Sequence, residues 1–138
     1  MKAIELYFLA AGLLAAALPA LAHHSFTAEY DREKPVTLKG IVTSLDWVNP
    51  HAWIYFDVKD DDGKTTAWSA ELGSPNLLLR NGWRRDTLKP GDAIIVEGSA
   101  AKDGSKRANA RTVKLASGQR VFNAGSSGDP GTPGAPSQ

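Results

Sequence analysis

Alternation of apolar and polar residues dominates the middle of the chain. From Pro35 onward, Val36, Leu38, Gly40 and Val42 alternate with Thr37, Lys39, Ile41 and Thr43, the period of two that predicts a strand. Gly40 within it predicts a bend or bulge that lets a long strand curl round a small barrel. The run His51 to Val58 alternates strictly, with Ala52, Ile54, Phe56 and Val58 on one face and His51, Trp53, Tyr55 and Asp57 on the other. The first set is expected to be core. Asp60-Asp61-Asp62-Gly63-Lys64 predicts a hairpin tip, and Thr65 to Leu72 a third strand carrying Trp68 and Glu71. Ser74-Pro75 at the front and Gly82 behind then mark a short helix, with serine as N-cap and proline in the first turn. Its leucines, Leu77 to Leu79, are expected to plug one end of a barrel. Ala93 to Ala100 and Asn109 to Leu115 predict strands four and five, joined by a hairpin at Lys102-Asp103-Gly104-Ser105.

Three strands, a short helix and two more strands is the order of a five-stranded OB-like barrel, an all-β fold with one short helix. An SH3-like barrel or an open antiparallel sheet with one helix is the alternative. Residues 23–122 are assigned to this domain. From 123 to 138 glycine, serine, proline and aspartate prevail and no apolar period survives, a composition that predicts a disordered tail.

The pattern at the front is different. Leu6 to Leu18 is apolar apart from Tyr7, Lys2 precedes it, Pro19 ends it, and Ala20-Leu21-Ala22 places small residues at −3 and −1. This is the layout of a cleavable secretory signal over residues 1–22. Glu5 is unusual in that position, and an uncleaved anchor is the competing reading. The run falls short of the roughly 20 apolar residues of a membrane span. Cleavage after Ala22 is expected to leave a periplasmic or secreted protein without a span.

Composition narrows the function classes. The formal net charge is +1, and removing one lysine and one glutamate with the signal leaves it unchanged. Such a balance lacks the basic footprint of a nucleic-acid binder. There is no cysteine, and Met1 is the sole methionine. An exported form therefore has no disulfide framework and no soft sulfur site for Cu(I).

Two of the three histidines, His23 and His24, sit directly behind the cleavage site, and His51 follows Asn49-Pro50. An α-amine, with a reference pKa of about 7.7–8.0, is partly unprotonated at neutral pH and can donate its lone pair. The amine and Nδ1 of an N-terminal His23 can chelate one ion, and His24 or His51 can add a third nitrogen. That set suits Cu(II), and Zn(II) less well. The metal candidates are thus His23, His24 and His51, in a ligand chemistry resembling the histidine brace. If Ser25–Tyr30 folds back on strand one through a turn at Asp31–Lys34, His24 lies beside Thr43 and His51 beside Asp46, roughly 10 Å apart at strand rise.

Rival readings exist at each point. His23-His24 can be a solvated end, and His51 can simply fix its turn. Trp53, Tyr55 and Trp68 can form an aromatic face that holds a peptide, glycan or envelope protein, or they can cover an edge. The Asp60–Asp62 run lacks calcium-loop spacing, and Arg84-Arg85 with Lys89 reads as a solvated face. No nucleophile triad, phosphate loop or acid/base pair is legible, so no enzyme is expected, with a copper-dependent oxidase or oxygenase as a third reading.

His-His-Ser-Phe at 23–26, Trp-x-Asn-Pro-His-Ala at 47–52, Glu-Leu-Gly-Ser-Pro at 71–75 and Leu-Lys-Pro-Gly-Asp at 88–92 together resemble a family of small exported bacterial proteins known as a domain of unknown function. The resemblance implies export and a compact β domain, and carries no catalytic residues with it.

Overall fold

The computed structural model describes residues 26–118 and 120–123. The signal segment, His23, His24 and residues 124–138 lie outside them. A helical turn over 26–29 leads into β1 (Tyr30–Asp46), β2 (Trp53–Lys59), β3 (Thr65–Glu71), α1 (Pro75–Arg80), β4 (Ala93–Ala101), β5 (Arg107–Leu115) and β6 (Arg120–Asn123). β1 pairs with both β2 and β4, β2 with β3, β4 with β5, and β3 with β5 in parallel. Five strands therefore close into a ring, in an all-β fold with only short helices. β6 pairs with β5 outside the ring and extends to Asn123, one residue past the boundary expected for the domain.

β1 is the element that makes closure possible. Its first part, Tyr30 to Ile41, lies along β4, and its last part, Ile41 to Asp46, along β2. Gly40 sits at the changeover. A Cβ there would stand 2.6 Å from the Asp57 carbonyl oxygen and 2.7 Å from a Phe56 ring carbon, so the close strand crossing admits only glycine.

The expected turn at Asp31–Lys34 is not a hairpin. Asp31 pairs with Ala100 and Pro35 with the adjacent Ser99, so the intervening charged residues are looped out of a strand that continues in one direction. Residues 26–29 consequently precede β1 as a helical turn and do not run back along it. The position expected for His24 lies outside the described residues, and the pairing expected for His51 is not formed. Asp46 pairs with Trp53, not His51.

Inside the ring, Val42, Ile54, Phe56, Ala70, Leu72, Leu78, Ile94, Val96, Ala110 and Val113 form one buried cluster with Trp83 and Leu88. Ala52, Ile54 and Phe56 occupy the face that the alternation assigned to the core, whereas Val58 is only partly buried against it. Ser74 caps α1 by accepting the Leu77 amide. Of the three helix leucines Leu78 closes the barrel end, while Leu79 remains 43% exposed.

A second, smaller cluster lies on the outer face. Register sets Trp53 beside Glu71, Glu71 beside Asn109, and Asn109 beside Ser99, with Ala101 two residues along β4 and opposite Tyr30. Residues so paired point to one side of the sheet. Phe26, Tyr30 and Ala101 pack together there. The turn over 26–29 is stapled to the β4–β5 hairpin: the Lys102 amide donates to the Glu29 carbonyl at 2.8 Å and the Lys102 ammonium to that of Thr27.

Candidate functional site

Glu71 closes β3 and points to this outer face, where it is 8% exposed. A carboxylate that buried requires partners, and it has two. The Tyr30 hydroxyl donates to Oε2, and Oε1 meets Nδ1 of His51. Each partner arrives from a different element. Tyr30 is held at the start of β1 by its ring contact with Phe26, 5.7 Å between centroids. His51 precedes β2, and the backbone of Ala52 pairs with Gly73 and Leu72 beyond β3, which draws His51 to the Glu71 end of that strand.

The proton affinities follow from this arrangement. Burial pushes the Glu71 carboxyl up, but the hydrogen bonds from His51 and Tyr30 outweigh it and leave the group below its ordinary range. The hydrogen bond to Glu71 raises His51 above its ordinary value against the opposing effect of burial. Burial, and then the bond to Glu71, push the Tyr30 hydroxyl far up, so it remains a donor. Arg107 lies 5.7 Å from the Tyr30 ring centroid and 3.7 Å from the Glu29 carboxylate, completing the cover over Glu71. Beside it, Asn109 is 1% exposed and its Oδ1 has no hydrogen-bond partner among the described residues.

A buried carboxylate holding one imidazole nitrogen fixes the ring's tautomer and directs the other nitrogen, Nε2, away from it. The imidazole is about one-third exposed. The described residues contain no cluster of three or more histidine, cysteine or acidic side chains able to hold a metal.

Of the residues singled out in the sequence, His51 is therefore brought into a hydrogen-bonded constellation, whereas His23 and His24 lie outside the described residues. Trp53 and Tyr55 share the outer face of β2, and Tyr55 is 38% exposed. Trp68 pairs with Phe56 and packs partly against the main core, with the Lys106 ammonium 5.3 Å from its ring. It belongs to the opposite face of the sheet, so the three aromatics do not form one patch. Glu71 and Tyr30 are not among the site residues that the sequence singles out. The legible signal for Glu71 is an acid at a strand end beside Leu72-Gly73, where a solvated face would not require it. For Tyr30 there is none.

No helix among the described residues is long and apolar enough to cross a membrane. No curated protein matches the chain. Among solved structures it is similar to the ZRD-deleted mutant of TiaS in complex with agmatine, with 21% identity and a TM-score of 0.43 over 68% of this chain and 23% of that one. It is also similar to TiaS in its complex with a tRNA and ATP, with 20% identity and a TM-score of 0.41 over 62% of this chain and 18% of that one. The chain thus spans less than a quarter of either. The profile of a family of unknown function, DUF6152, matches residues 10–110, a stretch that includes His51, Glu71 and Tyr30, and the chain belongs to that family.

Proposed function

We propose that this protein is a small periplasmic or secreted binding protein for Cu(II), with Zn(II) the less suited ion. It holds metal through Nε2 of His51 together with the amine and imidazole of a processed N-terminal His23, or the imidazole of His24. One observation carries the reading: the buried Glu71 carboxylate grips His51 through Nδ1. Metal-binding histidines usually donate their other ring nitrogen to such a group. The same carboxylate takes the Tyr30 hydroxyl, and Tyr30 touches Phe26. Covalent geometry limits His24 to roughly 7 Å, Cα to Cα, from Phe26. The proposed site requires the histidine pair to reach His51 across that short span of chain. A nitrogen set of this kind favours Cu(II) by the general order of divalent affinities.

Titration with Cu(II) of protein beginning at His23 tests the proposal. One equivalent is expected to bind, and either a glycine placed before His23 or His51→Ala is expected to weaken binding at least about tenfold. Glu71→Gln is expected to cost about 10–100-fold, as loss of a carboxylate behind a metal-bound histidine does. Unchanged affinity in the glycine-extended and His51→Ala forms overturns the proposal. Mass spectrometry of the exported protein checks that residue 23 is its first.

A second reading rests on Trp53 and Tyr55, which share the outer face of β2. A partly exposed Trp53 beside an exposed Tyr55 suits a peptide, glycan or partner protein of the envelope. Under this reading Trp53→Ala with Tyr55→Ala abolishes capture of a partner, and copper titration gives no saturable binding.

A further inference from the structure

A different part of the surface, away from His51, carries a cleft. The β1–β2 loop and the segment around α1 face each other across a cleft of about 510 Å³, lined by Trp47, Asn49, Asn76, Leu79, Arg84 and Arg85 among others. Its size lies within the range of small-molecule pockets. Two guanidinium groups line it and no carboxylate does. Neither arginine has a carboxylate within ion-pair distance among the described residues, although the exposed Asp86 follows Arg85 directly in the chain.

The arginines are not carried on a slack loop. Trp83, which precedes them, is fully buried in the main core, and its amide donates to the Leu78 carbonyl at 2.9 Å. The Arg84 amide donates to Thr87 Oγ1 at 2.7 Å, and the Thr87 amide returns to the Arg84 carbonyl at 3.1 Å. The Arg84 side chain bonds the Trp83 carbonyl at 3.3 Å through Nη1, which restrains the guanidinium and leaves its other donors unused. A restrained guanidinium loses less entropy on binding an anion. Opposite, Trp47 packs partly against the core, so the aromatic wall is held as well. Leu79, nearly half exposed at the cleft, adds apolar surface that no element of the fold covers, and Asn49 and Asn76 offer amide donors and acceptors.

We propose that this cleft binds a small ligand bearing a phosphate or carboxylate on a flat, apolar-faced body. Arg84 and Arg85 take the oxyanion and Trp47 takes the flat face. Guanidinium forks match both oxyanions in geometry, so the charged group's identity is left to the experiment.

The test follows the Trp47 indole and Asn49 amide signals in ¹⁵N-correlated spectra during titration with phenyl phosphate, benzoate, phenol and inorganic phosphate. Phenyl phosphate or benzoate is expected to shift these signals saturably, the tighter of the two naming the oxyanion. Phenol is expected to leave them in place. Arg84→Gln with Arg85→Gln is expected to weaken binding at least about tenfold, the effect of losing hydrogen bonds from charged groups. Both side chains are exposed, so this variant keeps its fold, which circular dichroism checks, and its copper titration is expected to match that of the parent. Trp47→Leu is expected to bring phenyl phosphate down to the affinity of inorganic phosphate. Equal binding of phenol, full retention of affinity by the double variant, or no shift with either anion at millimolar concentration overturns the proposal.

Discussion

At the scale of single residues the molecule turns on Glu71. A carboxylate with two donors inside a sheltered surface is stable only while both donors remain, and each donor is equally dependent on it. Glu71→Ala removes one acceptor from a buried tyrosine and another from a partly exposed histidine. Hydrogen bonds to charged groups contribute about 1.5–3 kcal/mol each, and the exposed side of His51 recovers water. We expect a loss of about 2–4 kcal/mol, read from urea unfolding of the metal-free protein. Tyr30→Phe removes a single donor and is expected to cost about half as much. The pair also sets a pH window. The depressed Glu71 contributes stability above its ordinary value of 4.5 that is lost as pH falls through its lower folded value. The raised His51 contributes stability below its ordinary value of 6.5 that is lost as pH rises through its higher folded value. Stability of the metal-free protein is therefore expected to be greatest between these two values and to fall on both sides. In Glu71→Gln the shoulder above 6.5 should vanish, and a profile identical to that of the parent would contradict the assignment.

At the scale of elements, backbone geometry decides more than side-chain preference does. β4 and β5 shift register between Glu97 and Gly98, and a Cβ on Gly98 would lie 1.9 Å from the Asn109 carbonyl oxygen. The opposing atom is backbone and cannot step aside. Gly98→Ala is expected to reach or exceed the upper end of the about 1–3 kcal/mol typical of overpacking. Gly104 has open space around it and only a positive φ of 77°, so Gly104→Ala should cost about 1–2 kcal/mol. Thermal unfolding of the two variants separates steric contact from backbone strain. The elements also show what could be read beforehand. Strict alternation in β2 and the Ser74-Pro75 cap of α1 are local signals, and the structure repeats them. The charged run at Asp31–Lys34 is ambiguous because a hairpin and a looped-out bulge both require polar residues. Only the pairing of Asp31 and Pro35 with adjacent β4 residues distinguishes them. In β5 alternation fails altogether, with Ala108, Asn109 and Ala110 all buried. One face of that strand meets the barrel core and the other lies on the sheltered outer face, a long-range arrangement with no periodic trace. Glu71 is hidden for the same reason, since one of the two partners that shelter it, Tyr30, lies 41 positions away.

At the scale of the whole molecule, two apolar clusters of unequal size divide the labour. The main cluster inside the ring makes the barrel, and the outer cluster of Phe26, Tyr30 and Ala101 fastens the chain's entry to it. Their separation has a consequence for how the protein loosens. Phe26 is buried at 5% exposure, and full burial of such a side chain contributes about 1.5–3 kcal/mol. Its contacts, however, belong to the fastening rather than the ring. Phe26→Ala should therefore release residues 26–30 in a local opening while the five-stranded ring stays closed. Amide hydrogen exchange distinguishes the two levels. The Lys102 amide, which donates to Glu29, is expected to lose protection, whereas those of Ile54 and Val96 within the ring keep theirs. Because the fastening also holds Tyr30 on Glu71, and through Glu71 the imidazole of His51, the proposed copper site predicts that Cu(II) affinity falls with the protection of this segment. Trp83→Ala supplies the contrast: deleting a fully buried indole from the main core costs about 3–5 kcal/mol and should lower protection at all of these amides together. If Phe26→Ala instead weakened the ring and the entry segment equally, the two clusters would be one cooperative unit. The histidine would then owe its position to the barrel as a whole.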